Sequence, residues 1–382
     1  MSSRSFQLFV ASLIVMQSVW SQSNHSQAMD FEKYDPVSTL VVPEHILTHA
    51  KFPFIDVHNH QWNVPGQNIP SLFSEMDKLN MKIMVNLSGR GYKQSNGVNG
   101  DFDVNDHNYL LRSMENVKKT GAGRLVFFTN ISFVGFGEPG WAEKTLHELE
   151  SDVKSGACGL KIYKDLGFYF KDEKGKLIRI DDPRLDPVWK KCGELKIPVL
   201  IHSADPKPFW FPEDEHNERW LEVATHPDRK RSNTDPAPWD TLIEEQHRVF
   251  KRHPNTIFIA AHFGWYANDL TTLGKLLDAL PNVYTEFGAV IAELGRQPRA
   301  AKAFFEKYQD RILFGKDSWA PEEYATYFRV LETEDEYFPY HKKYHAFWRM
   351  YGIGLSDDIL KKVYYKNALK IIPGLDKTMF PD

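Results

Sequence analysis

From Phe52 onward, short apolar runs alternate with longer amphipathic ones. An apolar run of roughly four to eight residues closed by turn formers reads as a buried strand; apolar positions three and four apart read as a helix face. This pattern predicts strands at Phe54–His60, Lys82–Ser88, Arg124–Phe133, Gly159–Asp165, Pro198–Ser203, Thr256–Gly264, Asn282–Gly288 and Ile312–Asp317. It predicts helices between them, at Asp106–Lys119, Trp141–Lys154, Arg184–Leu195, Trp239–Arg252, Asp269–Leu280 and Arg299–Gln309. Eight strands alternating with helices predict an α/β fold: a parallel sheet closed into a (β/α)8 TIM barrel, as a single domain over residues 51–375. An open, doubly wound sheet is the alternative.

Three segments exceed ordinary connection lengths: Gly167–Asp182, Pro206–Pro238 and Ala320–Tyr351. They follow the fourth, fifth and eighth predicted strands. Loops after barrel strands build the active-site face, so long loops over the C-terminal face are expected as lids or pocket walls. The first reads as an inserted hairpin. The third is rich in aromatic residues and is also a candidate homodimer surface.

The N-terminus carries Arg4 and then the apolar stretch Phe6–Val19, with small residues Val19 and Ser21 at a cleavage position. Residues 1–21 therefore read as a signal peptide and 22–50 as a leader, which predicts a secreted or periplasmic protein. The stretch is short for a membrane span, so no stable membrane insertion is expected. Cys158 and Cys192 can remain free thiols or form one bridge. Asn24, Asn86 and Asn130 head glycosylation sequons. A net charge of −4 gives no basic face, which argues against a nucleic-acid partner. The 14% aromatic content suits a pocket for a small-molecule substrate.

The chemistry begins at Asp56-Val57-His58-Asn59-His60. A strand has a period of two, so His58 and His60 share a face and can grip one metal ion. His202 ends the fifth predicted strand, His262 the sixth and Asp317 the eighth. Barrel enzymes collect catalytic groups at these ends, so four histidines and an aspartate predict a single metal-bearing site. Imidazole with carboxylate suits zinc, with manganese as the alternative. Five weaker candidates for substrate contact are Arg90, Lys161, Tyr163, Trp210 and Glu286. Arg90 can clamp a carboxylate bidentately, and Glu286 can instead orient a metal ligand. Lys161 can also serve in a structural ion pair.

The order His-x-His, His, His, Asp on strands one, five, six and eight resembles the amidohydrolase superfamily. More closely it resembles the amidohydrolase-related branch that includes aminocarboxymuconate-semialdehyde decarboxylase. The resemblance runs from Phe54 to Ile371. It also rests on Asp181-Asp182-Pro183-Arg184-Leu185-Asp186-Pro187-Val188-Trp189, Ala261-His262-Phe263-Gly264, Ile312-Leu313-Phe314-Gly315-Lys316-Asp317 and Val363-Tyr364-Tyr365-Lys366-Asn367-Ala368. It implies one divalent ion held by His58, His60, His202 and Asp317. His262 would stand beside it as acid, base or electrostatic anchor, and Asp317 would double as the catalytic base. Lys161 occupies the strand-four position where some superfamily members carry a carbamylated lysine between two metals. The chain departs from the branch at Lys316, where a small residue is usual, and at Ala204-Asp205-Pro206-Lys207-Pro208. The expected reaction is hydrolysis of an ester, lactone or amide bond in a small polar, cyclic or carboxylated substrate by metal-activated water. The rival is non-oxidative decarboxylation of an aromatic or unsaturated carboxylic acid. A third reading is an exported binding protein without catalysis.

Overall fold

Eight parallel strands form one sheet: β1 (Phe54–Asn59), β2 (Met81–Asn86), β3 (Leu125–Thr129), β4 (Gly159–Ile162), β5 (Val199–Ile201), β6 (Phe258–Ala260), β7 (Val283–Glu286) and β8 (Ile312–Leu313). Each pairs with the next in chain order, and the sheet curls into a nearly closed (β/α)8 barrel. This is a computed structural model describing residues 29–30, 33–94, 102–121, 123–342 and 345–381. The signal-peptide segment and Asn24 lie outside the described residues. The chain divides into two units, Met1–Val41 and Val42–Asp382, and the barrel belongs to the second. Among the described residues, no helix is long and apolar enough to cross a membrane.

The strands are short because their apolar runs do two jobs. Every residue of β1, β5, β6, β7 and β8 is buried, as expected for strands covered on both faces. The residues after each ladder leave it to carry the site. Thus the sixth run was expected to extend to Gly264, but pairing stops at Ala260. All six expected helices form, Trp239–Arg252 with the expected ends. An additional helix, Ile69–Lys78, and an antiparallel pair, Tyr92–Gln94 with Phe102–Val104, were not anticipated. The expected hairpin in Gly167–Asp182 reduces to one bridge, Lys171 to Leu177.

Two other expectations resolve in the core. Cys158 and Cys192 are both free and buried, and burial pushes the Cys158 thiol up to about 12. The Asn86 and Asn130 side chains are buried and bonded to backbone groups, Asn86 to Gln61 and Asn130 to Leu87 and Arg90. Neither can accept a glycan in the folded chain.

Barrel closure between β8 and β1 is not a full ladder. Val57 N donates to Phe314 O at 2.9 Å and Asp317 N to His58 O at 2.6 Å. The buried Asp56 carboxylate reinforces this seam. Its Oδ1 accepts from the backbone N–H of His58 (3.0 Å) and of Lys316 (3.1 Å). Its Oδ2 accepts from Tyr324 Oη (2.6 Å) and Asn59 Nδ2 (2.9 Å). The terminal helical segment covers the same seam, where Asn367 Nδ2 donates to Ile312 O at 2.7 Å. Asp56→Ala leaves several buried donors unpaired, so it should lower unfolding free energy by about 3–5 kcal/mol. Denaturant titration of the variant against wild type checks this, and a loss below about 1 kcal/mol would contradict the seam's dependence on Asp56.

Candidate metal centre and active-site cleft

His58 lies at the end of β1 and is fully buried. Its Nδ1 faces Glu286 Oε1 at 2.8 Å. Glu286, at the end of β7, also accepts from the backbone N–H of His262 (2.7 Å) and of Gly288 (2.6 Å). Burial alone would raise the Glu286 pKa, but His58 and then His262 hold it down to about 2. Glu286 is therefore a carboxylate, and His58 Nδ1 carries the donated hydrogen. That leaves His58 Nε2 pointing at Asp317 Oδ1, 3.1 Å away, with His60 Nε2 at 3.7 Å from the same oxygen. A lone pair facing a carboxylate requires a proton or a cation. Burial and Lys161 oppose charging of His58, yet Glu286 and Asp317 overrule them and raise its pKa. Burial would raise Asp317 too, but His58, His262 and His60 hold it well below the usual carboxylate range.

Two groups of side chains bring their ligand atoms within 4.8 Å of one another: His58, His60 and Asp317; and His58, His262 and Glu286. The hydrogen bonds choose between them. Glu286 is already saturated, so the second group is a hydrogen-bonded support. The first turns two imidazole nitrogens and a carboxylate toward one another, with Lys161 Nζ 3.4 Å from His58 Nε2, and suits a divalent ion. His60 is oriented from behind: its Nδ1 meets Ser88 Oγ at 2.7 Å, and Tyr163 Oη donates to Ser88 Oγ at 3.0 Å.

His202 falls outside both groups and faces His262. His262 Nδ1 lies 2.7 Å from Gly288 O, so it carries the hydrogen and Nε2 is bare. His202 Nε2 lies 3.1 Å from Ala204 O, which bares its Nδ1 in the same way. The two bare nitrogens confront each other at 3.3 Å. Burial lowers the pKa of both rings, so neither readily supplies the missing proton. This orphaned pair is a second sign that the site is built around a cation.

The backbone here is strained. Ala204, His262, Phe263, Trp265, Ala289 and Asp317 all have positive φ, between 54° and 86°. Each follows one of strands β5 to β8. Left-handed L-residues cost about 1–2 kcal/mol each and persist where surrounding contacts fix them. Gly315 is needed for another reason: a Cβ there would lie 2.4 Å from Glu286 Oε2 and 2.9 Å from His58 Cβ.

A cleft of about 580 Å³ opens beside this group, lined by His60, Trp62, Asn63, Asp317 and Trp319 among others. The Asp317 side chain is 36% exposed, so the cleft reaches the candidate centre. Trp62 stacks on His60 with centroids 5.1 Å apart and planes 6° apart. Lys161 is buried with Nζ 3.4 Å from His58 Nε2. Burial lowers its pKa to about 8, against the pull of Asp317 and Glu286.

The other expectations divide. Arg90 does not face the cleft. Its fork is filled by Asp152, through Nε at 2.9 Å and Nη2 at 3.2 Å, and by Glu148 at 3.1 Å. Both acids stand on helix Trp141–Ser155, so Arg90 is a structural tie rather than a substrate clamp. Tyr163 directs its hydroxyl at Ser88 and Leu87 O, positioning His60. Trp210 donates its indole N–H to Ala237 O at 2.7 Å and is not among the residues lining the cleft. Lys316 turns away as alternation requires, its Nζ 2.5 Å from Glu323. Trp62, Trp319 and Ser88 were missed. Trp62 carried a usable signal, since it continues the two-residue period of His58 and His60.

The amidohydrolase family profile matches residues 55–373. This chain belongs to the amidohydrolase family. Among curated protein sequences none matches it. Solved structures show the same fold at low identity. A 2,6-dihydroxybenzoate decarboxylase bound to 2,6-dihydroxybenzoate matches with TM-score 0.50 and 13% identity, over 84% of this chain and 99% of the other. A putative amidohydrolase from Staphylococcus aureus matches with TM-score 0.50 and 15% identity, over 84% and 99%. An uncharacterised TIM-barrel protein from Bordetella bronchiseptica matches with TM-score 0.50 and 14% identity, over 83% and 97%. As a member of the amidohydrolase family, the chain is a metal-dependent enzyme.

Glu286→Gln should weaken divalent-metal affinity by about 10–100-fold, measured by competition with a chromophoric chelator. It should also flatten the acid limb of stability. The native pKa of about 2 lies below the ordinary 4.5, so the carboxylate's contribution is present above 4.5 and is lost as pH falls towards 2. Unchanged metal affinity in this variant would contradict the orienting role.

Proposed function

We propose that this amidohydrolase-family enzyme hydrolyses an ester, lactone or amide bond in a small polar substrate. One observation carries the reading: the Asp317 carboxylate faces two metal-competent imidazoles while remaining open to the cleft. His58, His60 and Asp317 would hold the divalent ion, and the His262 ring, 4.9 Å from that of His58, turns its bare nitrogen to His202. When bound, such an ion polarises a carbonyl oxygen and makes water a nucleophile at neutral pH. Zinc suits the donor set, and manganese is the alternative.

The chain's own groups supply the proton chemistry. Asp317 stays ionised because three histidines surround it, so it can take a proton from the attacking water. His262 has its Nδ1–H fixed on Gly288 O, so proton exchange with a leaving group is confined to Nε2. The buried Lys161 ammonium adds positive potential where negative charge develops on the carbonyl oxygen. Water adds to the carbonyl carbon, the bond to the leaving oxygen or nitrogen breaks, and that atom collects the proton.

The second reading is decarboxylation of an aromatic acid. The flat His60–Trp62 face, with Trp62 53% exposed, favours it by offering a wall for a planar ring. The export signal expected at residues 1–21 would place either activity outside the cytoplasm.

Both readings are tested on metal-loaded protein. Lactones and esters assayed by pH-stat should be hydrolysed, and aromatic carboxylates assayed for carbon dioxide should release none. Gas release without ester or lactone cleavage would overturn hydrolysis. Asp317→Asn should lower kcat by at least about 10²–10⁴-fold while circular dichroism is unchanged.

A further inference from the structure

A small cavity of about 20 Å³ lies among the loops that follow β5, β6 and β7. Its walls include Pro206, Arg219, Trp265, Val290 and Glu293. Two of these residues carry buried polar atoms without a partner: Trp265 Nε1 and Glu293 Oε2. Trp265 is 9% exposed and Glu293 7%. Unmatched buried polar atoms are uncommon in native proteins, and two at one cavity point to a missing group.

The surroundings hold both atoms in place. Glu293 Oε1 is engaged by Arg219 Nη2, and Arg219 Nη1 donates to Glu222 at 2.7 Å. The guanidinium thus fixes the carboxylate and leaves Oε2 uncommitted. Trp265 ends the left-handed stretch begun at His262. Its ring stacks on the His262 imidazole, with centroids 4.5 Å apart and planes 30° apart. The cavity therefore lies one aromatic ring away from a proton-handling histidine.

Chemistry limits what can occupy it. An indole N–H only donates and an ionised carboxylate only accepts. A group serving both must accept once and donate once. A hydroxyl does so. A ketone or carboxylate cannot donate to Glu293, and an ammonium cannot accept from Trp265. The volume admits one water-sized group. We infer that Trp265 and Glu293 form a specificity subsite for a single hydroxyl group of the substrate. This deepens the hydrolase reading and rests on it for the substrate's identity as a hydroxylated ester, lactone or amide.

The test uses metal-loaded protein with ¹⁵N-labelled tryptophan. The Trp265 indole N–H resonance is assigned from Trp265→Phe, which keeps an aromatic ring against His262. The probes are α-hydroxy- and β-hydroxy-γ-butyrolactone, with γ-butyrolactone as the analogue lacking the group. At least one hydroxylated lactone should move the Trp265 resonance at saturation, and the parent lactone should not. Wild type should prefer that lactone over the parent by about tenfold or more in kcat/KM. Trp265→Phe and Glu293→Gln should each bring the ratio close to one, with circular dichroism confirming that they fold. If all three lactones are hydrolysed and none moves the resonance, the subsite is wrong and the hydrolase reading stands. If none is hydrolysed but a hydroxylated one moves the resonance, the subsite stands and the hydrolase reading fails. Neither turnover nor a shift overturns both.

Discussion

The candidate centre depends on one buried carboxylate, that of Glu286. Among the described residues, Glu286 has no lysine or arginine ion-pair partner; it is fully buried, and its hydrogen bonds come from two backbone amides and the His58 ring. A carboxylate in such surroundings is tolerable only because all of these donate to it. In accepting from them it fixes the tautomer of His58, the start of the His262 turn and the path of the chain at Gly288. His58 Nε2 is left facing Asp317 at 3.1 Å, with Lys161 Nζ at 3.4 Å beside it. The polarity of the centre thus follows from one acid at the end of β7, which is remote from β1 along the chain and adjacent to it in space.

Strain follows the same plan. All six of the left-handed residues after β5 to β8 carry a side chain, in a region where glycine is at ease, and His262, Trp265 and Asp317 are among them. A relaxed backbone would continue each strand and aim these groups elsewhere. The core beneath, filled by residues such as Phe54, Phe128, Phe258 and Phe314, supplies the burial that holds the distortion.

The architecture was legible because doubly covered strands must be continuous apolar runs, and all eight announced themselves that way. Their ends were not legible. Ala261-His262-Phe263-Gly264 is as apolar as the ladder before it, and hydropathy does not separate a paired residue from one in a left-handed turn. The positions of His58, His60, His202, His262 and Asp317 were readable because a polar residue closing such a run is conspicuous. Arg90 looked similar, yet its partners stand 58 and 62 residues further on, on another helix, and no local pattern signals that pairing. The same holds for Trp265 and Glu293, whose meaning lies in what they fail to touch.

The seam between β8 and β1 has a consequence for how the molecule is made. His58 and Asp317 stand on opposite sides of that join and are bonded across it through Asp317 N and His58 O. The His58, His60 and Asp317 group cannot assemble until the last strand has emerged from the ribosome, after some 250 intervening residues have been synthesised. An ion captured there would act as a rivet, setting at the moment the cylinder shuts, so that loading with metal and completion of folding become a single late event.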